Sequence, residues 1–195
     1  RRSSDLETAE QVANEIEASG GTAKAFQADV SDLATVESAA KDIEAWSGGW
    51  DIILNAPGMN STTPFFELEP EEWDKIMDVN LRGVVFTTQI FAKRMVEQER
   101  KGSIINISSV SSTTPLSKVF TYSASKAGMN SVTQFLAREF APNGIRVNAI
   151  IPGFFPAEQN RKILSEERIN QIMNHTPMNR FGEAEELQGA AIYLA

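Results

Sequence analysis

Cysteine is absent from the 195 residues, which excludes disulfides, a thiolate nucleophile and any thiolate metal site. No apolar run approaches the length that spans a bilayer, and no signal peptide is present. Basic blocks are missing too. The formal net charge of −8 sets up a field that repels a nucleic-acid backbone. These absences exclude membrane-spanning and nucleic-acid-binding classes and fit a cytoplasmic enzyme. There is no internal repeat, no low-complexity linker and no glycine-rich phosphate loop of the G-x-x-x-G-x-G or G-x-G-x-x-G kind. What remains is ordinary for a globular chain, 42% hydrophobic and 23% charged, long enough for one domain (1–195) with a sizeable core. Arg1-Arg2-Ser3-Ser4-Asp5 runs straight into a helical pattern, and the chain stops at Ala195 inside another. The sequence therefore reads as an internal fragment of a longer protein.

Leu6, Ala9, Val12, Ala13 and Ile16 recur at helical spacing, and Gly20-Gly21 stops that helix. Thr22 to Ala28 reads as a strand. Leu33, Val36, Ala40 and Ile43 mark a second helix. Asp51 to Ala56 and Ser103 to Ser108 are short apolar runs, typical of strands buried on both faces. Pro70 opens a long helix to Gln98, Tyr122 to Ala141 is helical, and Ile145 to Ile151 is a strand. Residues 154–180 read as a loop with short helices that forms a substrate lid, and a last helix starts at Glu183. Strands alternating with helices imply an α/β fold, a doubly wound parallel sheet with helices on both faces. In such sheets ligands bind beyond the carboxyl ends of the strands. Asp29, Asn55 to Gly58, Ser109 and Pro152-Gly153 each sit just past one.

Tyr122 and Lys126 are four apart, so both project from one helix face. A phenol, with an unperturbed pKa near 10, is a poor base at neutral pH. A neighbouring ammonium favours the phenolate, so such a pair can move a proton to or from a substrate oxygen. Taken alone, that spacing is a common helix surface. Ser108 and Ser109 end a buried strand, where a hydroxyl can point into a cleft. Asn80 lies inside a long helix although asparagine is a poor helix former, which suggests a local distortion there.

Together these residues resemble the short-chain dehydrogenase/reductase family over essentially the whole chain. The resemblance rests on six motifs in order and spacing: Asp29-Val30, Asn55-Ala56-Pro57-Gly58, Asn80, Asn106-Ile107-Ser108-Ser109, Tyr122-Ser123-Ala124-Ser125-Lys126, and Arg146-Val147-Asn148 leading into Pro152-Gly153. It implies a Rossmann-type fold whose first strand and glycine-rich loop are missing from this chain, so the fragment itself is expected to bind cofactor poorly. It implies Tyr122 as general acid/base, Lys126 supporting it and holding the nicotinamide ribose, and Ser109, thirteen residues before the tyrosine, orienting the substrate oxygen. Asn80 would support a water linking Lys126 to solvent. Asp29 and Val30 would flank the adenine, while Asn55, Ala56, Pro57, Gly58, Pro152 and Gly153 would line ribose and nicotinamide. Ala56-Pro57 departs from the family's Asn-Ala, and Ala157 stands where many members carry a threonine. Arg1 and Arg2 lie where an acidic residue would bond a ribose diol, so NADP is preferred over NAD.

Phe154 to Arg161 and His175 to Glu183 resemble the branch containing D-mannonate oxidoreductases (fructuronate reductases). That resemblance implies a sugar acid whose carboxylate seeks Arg161, Arg180 or Lys118, with Asn60 to Thr63 meeting hydroxyls. Asn60, Ser109, Tyr122, Phe155, Gln159 and Arg161 are the candidate substrate contacts. His175, the only histidine, is read as a structural residue of the lid. A polyol or keto-sugar, or a 3-oxoacyl thioester, is the broader alternative substrate. A non-catalytic dinucleotide sensor would usually lack the Tyr/Lys pair. An enoyl reductase spaces that pair more widely. The resemblance also implies a homo-oligomer, tetramer or dimer, through the helices carrying Asn80 and Tyr122.

Overall fold

The computed structural model describes residues 3–155 and 166–195. Three parallel strands, β1 (Ile52–Asn55), β2 (Gly102–Ile107) and β3 (Ile145–Ile150), lie in the order β1-β2-β3. Helices α1 (Ser3–Ala18) and α2 (Leu33–Ser47) precede them. Between β1 and β2 come α3 (Pro70–Met77) and α4 (Gly83–Glu97), and between β2 and β3 comes α5 (Phe120–Phe140). Helices α6 (Glu166–Asn174) and α7 (Gln188–Leu194) follow the sheet. Parallel neighbours need long crossovers, and the two helical crossovers supply them. The fold is the α/β, Rossmann-type arrangement expected from the strand–helix alternation.

The main core lies where α4 and α5 cover the sheet. Ala92 and Met95 pack on Ile53, Ile104, Ile145 and Val147, closed off by Trp50, Phe91, Leu136 and Phe140. Burying each large side chain contributes about 1.5–3 kcal/mol. A second cluster, Val36, Ala40 and Ile90, holds α2 to α4, and Arg94 reinforces it with ion pairs to Glu37 (3.0 Å) and Glu44 (3.4 Å). On the other face, the Ser103 hydroxyl donates to the Leu194 carbonyl of α7.

Four expectations are corrected. Thr22 to Ala28 forms no ladder with any described strand. A strand exists through its partner, and among the described residues β1 pairs only with β2, so apolar patterning was insufficient there. Ile52 and Leu54 of β1 are about half exposed (52% and 49%), so that strand is buried on one face only. The long helix from Pro70 is divided by a π-helical turn, Asp78–Arg82, centred on Asn80, as a mid-helix asparagine suggested. The last helix begins as a 3-10 turn, Ala184–Leu187.

Candidate active site

The carboxyl ends of β1 and β2 and the first turns of α5 meet at Lys126. Its side chain is only 4% exposed. The Lys126 Nζ donates to the Ile107 carbonyl at 2.7 Å and the Pro57 carbonyl at 3.5 Å, and lies 5.7 Å from the centre of the Tyr122 ring. Burial pushes the pKa of this ammonium below the ordinary lysine value. Tyr122 is half-buried one helical turn away, so the four-residue spacing does place both groups on one face. The Ser108 hydroxyl donates to the Lys126 carbonyl (3.2 Å), tying β2's end to α5.

Ser109 stands just past β2 and caps a short 3-10 turn, Val110–Ser112. Its Oγ accepts from the Ser111 amide (3.2 Å) and lies 3.1 Å from the Ser111 hydroxyl. The Val110 amide donates to the Pro152 carbonyl (2.9 Å), which draws the Pro152-Gly153 loop beside the serine turn.

Asn80 is fully buried. Its Oδ1 accepts from the Met59 amide (2.8 Å), while its Nδ2 donates to the Met59 carbonyl (2.9 Å) and the Ser125 hydroxyl (3.1 Å). Both donors and one acceptor site of the side-chain amide are therefore taken, cross-linking the π turn, the loop after β1 and α5. The π turn lets one side chain point inward from a position that regular helix would aim elsewhere.

Val30 lies against the start of α4, where Gly83 admits it: a Cβ there would sit 2.6 Å from the Val30 carbonyl oxygen. The Asp29 carboxylate accepts from the Ser31 amide and hydroxyl (2.9 and 2.7 Å). The Asn55 side chain points into the core. It is 6% exposed, and its Nδ2 donates to Thr88 Oγ1 and Asn106 Oδ1, both at 2.9 Å. Asn106 in turn donates to Thr133 (2.9 Å). This Thr88–Asn55–Asn106–Thr133 ladder joins α4, β1, β2 and α5 inside the core. Two asparagines in otherwise apolar strands were the available signal, because a buried amide needs partners.

Ala56, Gly58 and Asn60 are exposed on the loop after β1. Phe155 is half-buried and covers Gly182, where a Cβ would meet the ring at 2.1 Å. The Gly182 amide donates to the Phe154 carbonyl (2.9 Å). Arg180 is gripped by Glu186 through two guanidinium nitrogens (2.7 and 2.6 Å). That contact holds the Glu186 carboxyl at about 2. Lys118 is exposed just before α5, with a left-handed backbone (φ 63°). Arg1, Arg2, Ala157, Gln159 and Arg161 lie outside the described residues. No metal-binding cluster occurs among the described residues.

A family model described as Enoyl-(Acyl carrier protein) reductase matches residues 3–195. The chain is a short-chain dehydrogenase/reductase. It is 38% identical to a Haemophilus influenzae protein named "Uncharacterized oxidoreductase", over 97% of this chain and 74% of that one. A crystal structure of gluconate 5-dehydrogenase from Burkholderia cenocepacia, in complex with NADP and tartrate, superposes with a TM-score of 0.90 at 34% identity, covering 97% of this chain and 74% of that one. A candidate D-mannonate oxidoreductase from Haemophilus influenzae with bound NAD gives 0.91 at 37%, covering 97% and 75%. An L-rhamnose 1-dehydrogenase (NAD(P)(+)) of Azotobacter vinelandii is 37% identical over 94% of this chain and 72% of its own length. A Staphylococcus aureus 3-oxoacyl-[acyl-carrier-protein] reductase is 35% identical over 97% and 76%. This short-chain dehydrogenase/reductase is an NAD(P)-dependent oxidoreductase acting on CH–OH groups.

The described residues fit a nicotinamide cofactor. Lys126 has three donors and its two carbonyl contacts leave one for a ribose hydroxyl. Gly153 has nothing within 4 Å of a Cβ position, and Gly58 only the Lys126 Nζ at 3.9 Å, so the backbone at both is open to close approach. No described helix is long and apolar enough to cross a membrane.

Proposed function

We propose that the protein interconverts a secondary alcohol and a ketone on a sugar acid or keto-sugar of the D-mannonate/fructuronate type. The observation that carries the chemistry is the buried Lys126 ammonium beside Tyr122, fixed by the Ile107 carbonyl at 2.7 Å. A bound nicotinamide supplies or accepts the hydride at the carbinol carbon. In the reducing direction the Tyr122 hydroxyl gives its proton to the carbonyl oxygen as the C–O double bond becomes an alcohol. The Lys126 cation steadies the phenolate left behind. Ser109 hydrogen-bonds the same oxygen, and Asn80 keeps the loop after β1 against α5. Oxidation reverses each transfer.

Asp29, Val30, Ala56, Pro57, Gly58, Pro152 and Gly153, with the Asn55 backbone, are the proposed cofactor contacts. Asn60, Phe155, Gln159 and Arg161 are the proposed substrate contacts. Residues 154–180 serve as the lid of a single domain, and Arg1 and Arg2 favour NADP. The sugar-acid reading is supported by the named substrates of gluconate 5-dehydrogenase and the candidate mannonate oxidoreductase. The four-residue Tyr122–Lys126 step argues against enoyl reduction. A homo-oligomer is proposed across the α4 and α5 surfaces, where Val85, Gln89, Lys93 and Phe140 border a groove between the two helices.

A second reading, reduction of a 3-oxoacyl thioester, is favoured by the Staphylococcus aureus relative. Turnover of fructuronate, neutral keto-sugars and acetoacetyl thioesters by the intact protein, with NADPH and NADH in parallel, separates the two. Preference for fructuronate is expected. Thioester turnover alone would replace the sugar-acid reading.

A further inference from the structure

The loop after β1 is fastened at every second residue. Met59 is bound through its backbone by Asn80. The Ser61 hydroxyl donates to Glu72 Oε1 at 2.7 Å, and the Thr63 hydroxyl donates to Glu72 Oε2 at 2.8 Å. Ser61 and Thr63 are accordingly half-buried, whereas Asn60 and Thr62 between them are exposed. Alternation of this kind is that of an extended segment, whose successive side chains point to opposite sides. One side faces α3 and is held there. The other is left to Asn60 and Thr62. The Asn60 Oδ1 accepts from the Ser61 amide (2.8 Å), which fixes the side chain and leaves its NH2 group turned outward as a donor. The segment starts beside the Lys126 Nζ, at Pro57 and Gly58. At about 3.3 Å per residue, Asn60 and Thr62 stand roughly 7 and 13 Å of chain beyond it.

Glu72 occupies the first turn of α3. There a carboxylate is favoured by the helix dipole, but its two oxygens reach across to the loop instead of capping the helix. Neither hydroxyl needs this glutamate to satisfy itself at a wet surface. The bidentate grip thus has its main consequence in the shape of the loop.

We propose that Glu72 is a positioning residue, clamping Ser61 and Thr63 so that Asn60 and Thr62 form a rigid hydroxyl-recognition edge for a polyhydroxylated substrate. The inference deepens the sugar reading and rests on it for the identity of what is recognised. Glu72 itself touches neither substrate nor cofactor; its effect passes through the loop.

Two measurements on the intact protein test it, with Glu72→Ala and Glu72→Gln. Glutamine keeps both contacts, because its carbonyl accepts one hydroxyl while its NH2 donates to the oxygen of the other. Amide exchange across residues 59–63 is expected to be about tenfold faster in Glu72→Ala and unchanged in Glu72→Gln. The KM for the sugar substrate is expected to rise about tenfold in Glu72→Ala, with kcat within about twofold and the KM for NADPH constant, and Glu72→Gln is expected to restore it. Unchanged exchange in Glu72→Ala would overturn the clamp. Faster exchange with an unchanged sugar KM would overturn the recognition edge. Parallel losses in kcat, both KM values and melting temperature would reduce Glu72 to a structural role. If the parent protein turned over none of the sugars, the substrate reading would fall, while the exchange result would still decide the clamp.

Discussion

Lys126 is the residue at which function and stability pull in opposite directions. The residue is 4% exposed, and its ammonium is held by two carbonyl oxygens rather than a carboxylate, and burying such a cation is unfavourable. Lys126→Met is therefore expected to lower kcat by about 10²–10⁴-fold while leaving the melting temperature equal or higher. The pH dependence has a definite sign. The folded-state pKa is lowered from 10.5, so between that lowered value and 10.5 the unfolded chain holds more protons and stability rises with pH. Urea unfolding across that range should show the rise in the parent protein and its absence in Lys126→Met. Asn80 makes the opposite case, a polar residue held for architecture. Asn80→Ala strips the Met59 amide and carbonyl of their partners, with an expected loss of about 1–3 kcal/mol in urea unfolding. Both residues were legible as sequence, one from its spacing to Tyr122 and the other from its misfit in a helix. Their partners were not, because Ile107, Pro57 and Met59 act through backbone atoms that carry no signature in residue type.

Among the elements, the strands show where patterning succeeds and where it stops. β1, β2 and β3 follow from apolar runs bounded by turns, and the Asn55–Asn106 register pairs the two asparagines that interrupt them. Replacing either asparagine alone by leucine leaves buried amides or hydroxyls without partners and is expected to destabilise by about 1–3 kcal/mol. Replacing both should cost less than the sum, a coupling that a double-mutant cycle in urea measures. Thr22 to Ala28, with Lys24 and Gln27 among its alanines, has no described partner strand, and pairing is a property of two segments that one segment's sequence does not contain. Phe155 and Gly182 show the same limit. Phe155 was read as a substrate contact from its neighbourhood, yet its ring also packs over Gly182 at a distance that excludes a Cβ. Gly182→Ala must displace the ring, and the expected result is a raised substrate KM with an unaltered KM for NADPH. Close by, Glu186 titrates at about 2 against an ordinary 4.5. Its grip on Arg180 is in full force above 4.5 and fails as pH falls toward 2, a change that carboxyl chemical shifts would follow.

For the whole molecule, the sheet, the helical crossovers and the loops beyond the strands converge on one end, where Lys126, Tyr122 and the loop at Pro57-Gly58 gather. The family and its fold were readable because six short motifs occur in order, each weak by itself and together specific to one family. The core ladder and the Glu72 clamp were hidden for the reason that they depend on side chains meeting across separate elements. We propose that Tyr122 moves the proton while Lys126 and Ser109 hold the geometry. The most direct test is the single-turnover rate of Tyr122→Phe in the intact protein, beside its affinity for NADPH. Phenylalanine keeps the ring and removes only the hydroxyl, so affinity for the cofactor should hold within about twofold while the chemical step slows by about 10²–10⁴-fold. A variant that binds cofactor normally and reduces its substrate at the parent rate would contradict the account.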